Sequence, residues 1–230
     1  MTAPDRPAPS ERRLAPPMLE LRQYRLHPGR RDDLVELFDA EFVDTQEAVG
    51  ITVVGQFRDL DRPDHFVWMR AFPDPITRTA ALSAFYGGPV WAAHRDRANA
   101  TMIDADDVLV LRPHRALDAL HLPVERRYRS DDDRQAPIVV VIEHVRDDAD
   151  VVEFVTTTVA SLENEARTLG LYVTDPIENG FPRLPVRDDR VAVWIGRGVA
   201  DAADSTGIAA GSTAHRQVLR LVPTRYSLLS

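Results

Sequence analysis

The sequence predicts an α+β protein made of two tandem units, each running β-α-β-β-α-β. Three observations carry this: period-two alternation in short β-rich runs, helical periodicity between them, and recurrence of both in the same order in the second half. With 230 residues, 44% hydrophobic and 28% charged, the chain has room for two units of about 100 residues each.

Residues 19–26 alternate polar and apolar side chains and stop at His27-Pro28-Gly29, as a strand entering a turn does. Asp32 and Asp33 suit a helix N-terminus, and Leu34, Leu37, Phe38 and Phe42 recur with helical spacing until Gly50. Residues 51–58 and 65–72 form a hairpin across the charged, proline-containing stretch 59–64. Residues 74–102 are alanine-rich and helical in pattern, with a kink or split expected at Gly87-Gly88-Pro89. A strand at 108–112 closes the first, ferredoxin-like unit.

The second half repeats the order. Residues 138–144 read as a strand, and Val151, Val155, Val159, Leu162, Ala166 and Leu169 form a helical stripe ending at Gly170. Strands follow at 171–174 and 190–195 around a long loop with proline and glycine. A short glycine-interrupted segment, 200–217, precedes a last strand at 218–222. Asp33-Leu34-Val35-Glu36 matches Asp150-Val151-Val152-Glu153, Val67-Trp68 matches Val193-Trp194, and 108–113 matches 218–223. The spacing of these matches widens before the third strand of the second copy and narrows after it. The second helix is therefore the shortened part, with no counterpart of Trp91, His94 and Arg95, and any site is expected to be asymmetric.

The division expected is a disordered leader at 1–17, a first unit at 18–117, a solvated charged linker at 118–136, and a second, degenerate unit at 137–230. The leader lacks the apolar core of a signal peptide, and no stretch reaches the ~18–20 apolar residues of a membrane helix, so a soluble cytoplasmic protein is expected. Absence of cysteine excludes disulfides, thiolate metal sites and a cysteine nucleophile. A net charge of -8 disfavours nucleic-acid binding. Every basic side chain other than histidine is arginine, which compositional bias explains, so it is weak evidence for anion recognition.

The runs Leu19-Glu20-Leu21-Arg22-Gln23-Tyr24, His27-Pro28-Gly29, Val54-Gly55-Gln56-Phe57, Phe66-Val67-Trp68-Met69-Arg70-Ala71-Phe72, Pro89-Val90-Trp91 and Val108-Leu109-Val110-Leu111-Arg112-Pro113 come in an order and spacing that resembles the NIPSNAP family. The resemblance covers about 19–113, and the second half looks like a degenerate copy. It implies a dimeric α/β barrel, here formed within one chain, so any homo-oligomer would use other surfaces. Relatives with this architecture include cofactor-free oxygenases, polyketide cyclases and haem enzymes, so the fold does not choose the chemistry.

Glu20, Arg22 and Tyr24 share one face of the first strand, and Phe66, Trp68 and Arg70 share one face of the third. Which face lines a cavity is open at this point. On the second helix Trp91, His94, Arg95 and Ala98 fall in one stripe. The expected catalytic set is His94, Arg95, Arg70 and Tyr24: a histidine base near neutral pH, with arginines stabilising an enolate or carboxylate. Arg22, His65, Trp68 and Trp91 are the expected substrate contacts. Each has a structural alternative: core packing for Trp91, a surface role for His94, fold salt bridges for Arg70 and Arg22.

No nucleophile elbow, P-loop or His-Glu-x-x-His occurs, and Gly196-Arg197-Gly198 is only a fragment of a dinucleotide fingerprint. No metal and no cofactor are expected. Two function classes remain: a cofactor-free oxygenase, cyclase or isomerase of specialised metabolism acting on a small molecule in the first-unit cavity, and a non-catalytic small-molecule-binding or scaffolding protein. A minor alternative is a haem-binding barrel, whose iron ligand would be His144 or His215.

Overall fold

Both faces of the strand Met18–Leu26 are buried, which one sheet with a single wet side does not allow. The computed structural model, describing residues 11–126, 128, 136–198, 211–212 and 216–229, shows why. Strands close into a barrel, and helices cover the outside.

The elements, in order, are β1 (Arg12–Leu14), β2 (Met18–Leu26), α1 (Arg31–Leu37), a π-helical segment (Phe38–Phe42), α2 (Val43–Ala48), β3 (Thr52–Asp59), β4 (His65–Phe72), α3 (Pro75–Tyr86), α4 (Pro89–Asn99), β5 (Met102–Pro113) and β6 (His121–Pro123). The second unit has β7 (Ile138–His144), α5 (Asp148–Glu153), a second π-helical segment (Phe154–Val159), α6 (Ala160–Leu162), β8 (Ala166–Thr174), β9 (Val191–Gly198), β10 (Gly211–Ser212) and β11 (Arg216–Pro223).

Each unit has the ferredoxin-like strand order, β5-β2-β4-β3 in the first and β11-β7-β9-β8 in the second. Two seams join them: Leu111, Arg112 and Pro113 of β5 pair with Thr174, Val173 and Tyr172 of β8, and Leu221, Val222 and Pro223 of β11 pair with Asp59, Arg58 and Phe57 of β3. Both seams run from a unit's last strand to its partner's second, as in a two-fold dimer. Closure leaves neither unit with an open edge at these strands.

Period two then sorts the side chains. Leu19, Leu21, Val67, Met69, Leu109 and Leu111 meet Ile138, Val140, Val193, Ile195, Leu219 and Leu221 inside the barrel. At the level of Gln23, which points the same way, the two units exchange amide hydrogen bonds with Gln217 of 3.1 and 2.9 Å. The alternate residues, Glu20, Arg22 and Tyr24 on β2 and Phe66, Trp68 and Arg70 on β4, lie under the helices. These faces, and not the apolar ones, meet the helix layer.

The first helix of each unit carries a π-helical segment at the corresponding place, Phe38–Phe42 and Phe154–Val159, a further mark of duplication. The Gly-Gly-Pro stretch divides the second helix into α3 and α4. Gly29 and Gly50, where the turn and the helix stop were expected, have φ of 75° and 90°, conformations that a side chain disfavours.

Several boundaries differ from expectation. Part of the leader is a strand, since β1 pairs with β6, and β6 itself lies in the segment read as a solvated linker. Leu120 and Leu122 of that segment are fully buried against the barrel core, and the Leu120 amide donates to the Tyr172 hydroxyl at 2.9 Å. Two leucines among charges are too few to show a period. The second unit's first helix ends at Leu162; Ala166 and Leu169 belong to β8, because residues spaced three apart fit a strand as well as a helix when both its faces are covered. The shortened helix segment falls largely on residues 199–210 and 213–215, outside the described residues, as does His215. No helix among the described residues is long and apolar enough to cross a membrane.

Candidate functional site

Between the first unit's sheet and its helices lies a buried charged cluster. Glu20 of β2 stands opposite Arg70 of β4 in the antiparallel register, with Arg22 two residues along β2. Arg78 comes down from α3, from the stripe that also buries Ala81, Leu82 and Phe85. All four side chains are essentially inaccessible to solvent.

Glu20 takes all three cations. Its Oε2 accepts from Nη1 of Arg22 at 2.8 Å and from Nε of Arg70 at 2.7 Å, and its Oε1 accepts from Nε of Arg78 at 2.6 Å. Arg22 Nε donates to the Tyr24 hydroxyl at 3.0 Å. Nη1 of Arg70 reaches Oε1 of Gln46 at 3.3 Å, and Nη1 of Arg78 reaches Oδ1 of Asn179 at 3.1 Å. Nη2 of Arg70, Nη2 of Arg78 and Nε1 of Trp68 are buried without a hydrogen-bond partner.

Electrostatics make this arrangement costly. Burial alone would raise the Glu20 carboxyl, but Arg70, Arg22 and Arg78 outweigh it and hold the group far below the usual carboxylate range. Burial pushes the Tyr24 phenol above its ordinary value, with Arg22 opposing. Three guanidiniums against one carboxylate leave an excess of positive charge where each desolvated ion costs several kcal/mol. Aromatic rings supply part of the compensation: the Arg70 guanidinium carbon is 5.0 Å from the Trp68 ring centre, 5.5 Å from Phe72 and 6.0 Å from Tyr86, and that of Arg22 is 5.5 Å from both Tyr24 and Trp68.

The cover comes from the other unit. The loop between β8 and β9 crosses over, placing Asn179 on Arg78 and stacking Phe181 on Tyr86 with ring centres 5.8 Å apart. Within the loop, Asn179 Nδ2 donates to the Leu184 carbonyl at 2.9 Å. Arg187 ties its far end to Asp107 and Asp189.

Of the residues expected from sequence, Arg22, Tyr24, Trp68 and Arg70 are brought together here. His94 and Arg95 do not join them. Nε2 of His94 lies 3.5 Å from Glu41 with 30% of the side chain exposed, and Arg95 is 57% exposed beside Asp96, because α4 buries only Ala98 fully. Trp91 packs on Phe42, Phe85 and Tyr86, one ring behind Arg70. His65 sits at the hairpin end of β4, where burial and Arg62 lower its pKa. Glu20, Arg78, Gln46, Tyr86, Asn179 and Phe181 were not singled out for the site; the available signals were Glu20 on the strand face of Arg22 and Tyr24, and an arginine, Arg78, on an apolar helical stripe.

The second unit has its own cleft of about 510 Å³, lined by His144, Arg146, Asp150, Glu153, Phe154 and Arg216 among others. Nδ1 of His144, the described candidate for a haem iron ligand, is 3.6 Å from Asp189. Among the described residues no three His, Asp or Glu side chains group as metal ligands.

Residues 19–116 match the family model described as NIPSNAP. The first unit is a NIPSNAP domain. Over nearly the whole chain, the protein is similar in structure to a "putative monooxygenase" from Fusobacterium nucleatum subsp. nucleatum ATCC 25586, with 11% identity, 91% of this chain and 93% of that one covered, and a TM-score of 0.54. It is equally similar to a "putative monooxygenase" from Lactobacillus acidophilus NCFM, with 13% identity, 94% and 97% covered, and a TM-score of 0.53. An anthrone oxidase-like protein matches at 10% identity over 90% and 91%, with a TM-score of 0.50. At such identities these likenesses establish the two-unit fold beyond the NIPSNAP domain. No curated protein matches the chain.

Proposed function

We propose that the NIPSNAP domain is the working half of a cofactor-free small-molecule enzyme, in which the arginine cluster stabilises the conjugate base of an acidic phenol or enol. The observation that carries this is an internal comparison. Register pairing sets Glu20 opposite Arg70 and Arg22 opposite Trp68 in the first unit; the same places in the second hold Val139 opposite Gly196 and Val141 opposite Trp194. One fold tolerates either set, so the charged set is not demanded by the fold. Where Arg70 stands in one copy, Gly196 in the other leaves its space to the Trp194 ring.

The cluster offers positive charge and aromatic walls but no base. Glu20 is too weakly basic, Tyr24 is held protonated, and His94 faces Glu41 at the surface. A substrate that ionises readily in water meets this requirement, because it arrives as the anion and the guanidiniums stabilise its electron-rich form. Such anions react with dioxygen or cyclise, chemistry compatible with the monooxygenase and anthrone oxidase-like names of the full-length structural neighbours.

The missing base also favours a second reading, that the site holds the anion without changing it. Incubation of the full chain with acidic phenols and enols under air, followed by mass spectrometry, separates the two. Product formed by the native protein and lost in Arg70→Leu supports the enzyme; binding without product supports the carrier.

A further inference from the structure

Arg70 and Arg78 are bonded in the same pattern. Each gives its Nε–H to a different oxygen of Glu20, each gives Nη1–H to a side-chain amide oxygen, and each leaves Nη2 without a partner. In a guanidinium, Nη1 and Nη2 form the end-on fork whose parallel N–H bonds match the two oxygens of a carboxylate. Here each fork is half filled, by a neutral amide oxygen that brings no charge.

The two amides are held differently. Gln46 lies within α2 and is anchored by its own Nε2 to the Phe42 carbonyl at 3.1 Å. Asn179 lies on the β8–β9 loop, only half-buried, and its Oδ1 is shared with the Phe181 amide at 3.1 Å.

Building on the small-molecule reading of this site, we infer that its ligand carries a carboxylate, which takes the end-on fork of Arg78 in place of the Asn179 amide oxygen. The surplus of two positive charges accommodates it, and the rings of Trp68, Phe72, Tyr86 and Phe181 suit a flat apolar body attached to it. Asn179 is thus a positioning residue: it occupies Arg78 while the site is closed and withdraws with its loop on binding. The sequence-distant loop of the degenerate unit thereby acquires a role in the intact one.

The test uses the full chain at constant ionic strength, with benzoate, benzamide and inorganic phosphate as probes and the thermal midpoint and calorimetric affinity as readouts. Benzoate is expected to raise the midpoint, and benzamide, equal in shape but neutral, to leave it unchanged. Asn179→Asp supplies a tethered carboxylate, so it should raise the midpoint without ligand and weaken benzoate about tenfold or more. Asn179→Ala empties the fork and should keep benzoate affinity. Equal effects of benzoate and benzamide, a phosphate effect as large as benzoate's, or an Asn179→Asp midpoint no higher than that of Asn179→Ala would each overturn the inference. Benzoate binding with the expected Asn179→Asp response but no product from any phenol would remove the enzyme reading and leave this one standing. Turnover of an acidic phenol that lacks a carboxylate, unaffected by Asn179→Asp, would do the reverse.

Discussion

Glu20 of β2 and Arg70 of β4 are directly paired across the sheet, and the arginine's Nε lies 2.7 Å from Oε2 of the glutamate in a position closed to water. Because Arg22 and Arg78 share the same carboxylate, one side chain holds three buried cations in check.

Glu20→Gln should therefore destabilise the protein by about 3–5 kcal/mol, the usual result of stranding buried charge. The native group's carboxyl is depressed, so its contribution is fully present above the ordinary carboxylate range and is lost as the pH falls through and below it. Urea unfolding at pH 7 and pH 3 checks both points: the gap between variant and native protein should shrink at the lower pH.

Asp39 should behave in the opposite sense. Burial pushes its carboxyl up to about 6, against a weak hydrogen bond from Thr224, and the neighbouring Gln56 donates to it at 3.2 Å while its own Oε1 lacks a partner. A raised carboxyl contributes stability below its ordinary range and loses it as the pH rises through about 6. Asp39→Asn should thus add about 1 kcal/mol at pH 8, discounted for partial exposure, and nothing at pH 4. Denaturation midpoints of both proteins across that range give the answer.

Gly196 is closed to substitution. A Cβ there would lie 2.0 Å from Cη2 and 2.2 Å from Cζ2 of Trp194, whose ring is fully buried. Gly196→Ala should cost roughly 1–3 kcal/mol or more through forced repacking. A thermal midpoint equal to the native one would contradict the packing described.

His94→Ala should change stability by less than about 0.5 kcal/mol and leave ligand binding intact, since the imidazole is partly exposed and touches Glu41 rather than the arginines. Loss of binding or turnover in this variant would return His94 to the site.

Much of this was legible locally. Period two in 19–26 and 65–72 put Arg22 with Tyr24 and Trp68 with Arg70, as found. The matched Val-Trp pairs exposed the duplication, and both tryptophans indeed sit under helices. The helical stripe grouped His94 and Arg95 with Trp91, but α4 buries only Ala98 fully, and the structure places both side chains outside the arginine cluster. Leu120 and Leu122 gave no periodic signal, being anchored by contacts made far along the chain.

By itself the sequence determined the two ferredoxin-like units, their inequality, and which side chains share a strand face, since these follow from local periodicity and repetition. Only the tertiary structure decided that β2's charged face lies under helices and its apolar face inside a barrel, because a closed barrel buries both faces and removes the polar side that would tell them apart. It alone brought Arg78 to Glu20 and Asn179 to Arg78. Those contacts join residues 58 and 101 positions apart, and no local pattern encodes a hydrogen bond across such a separation.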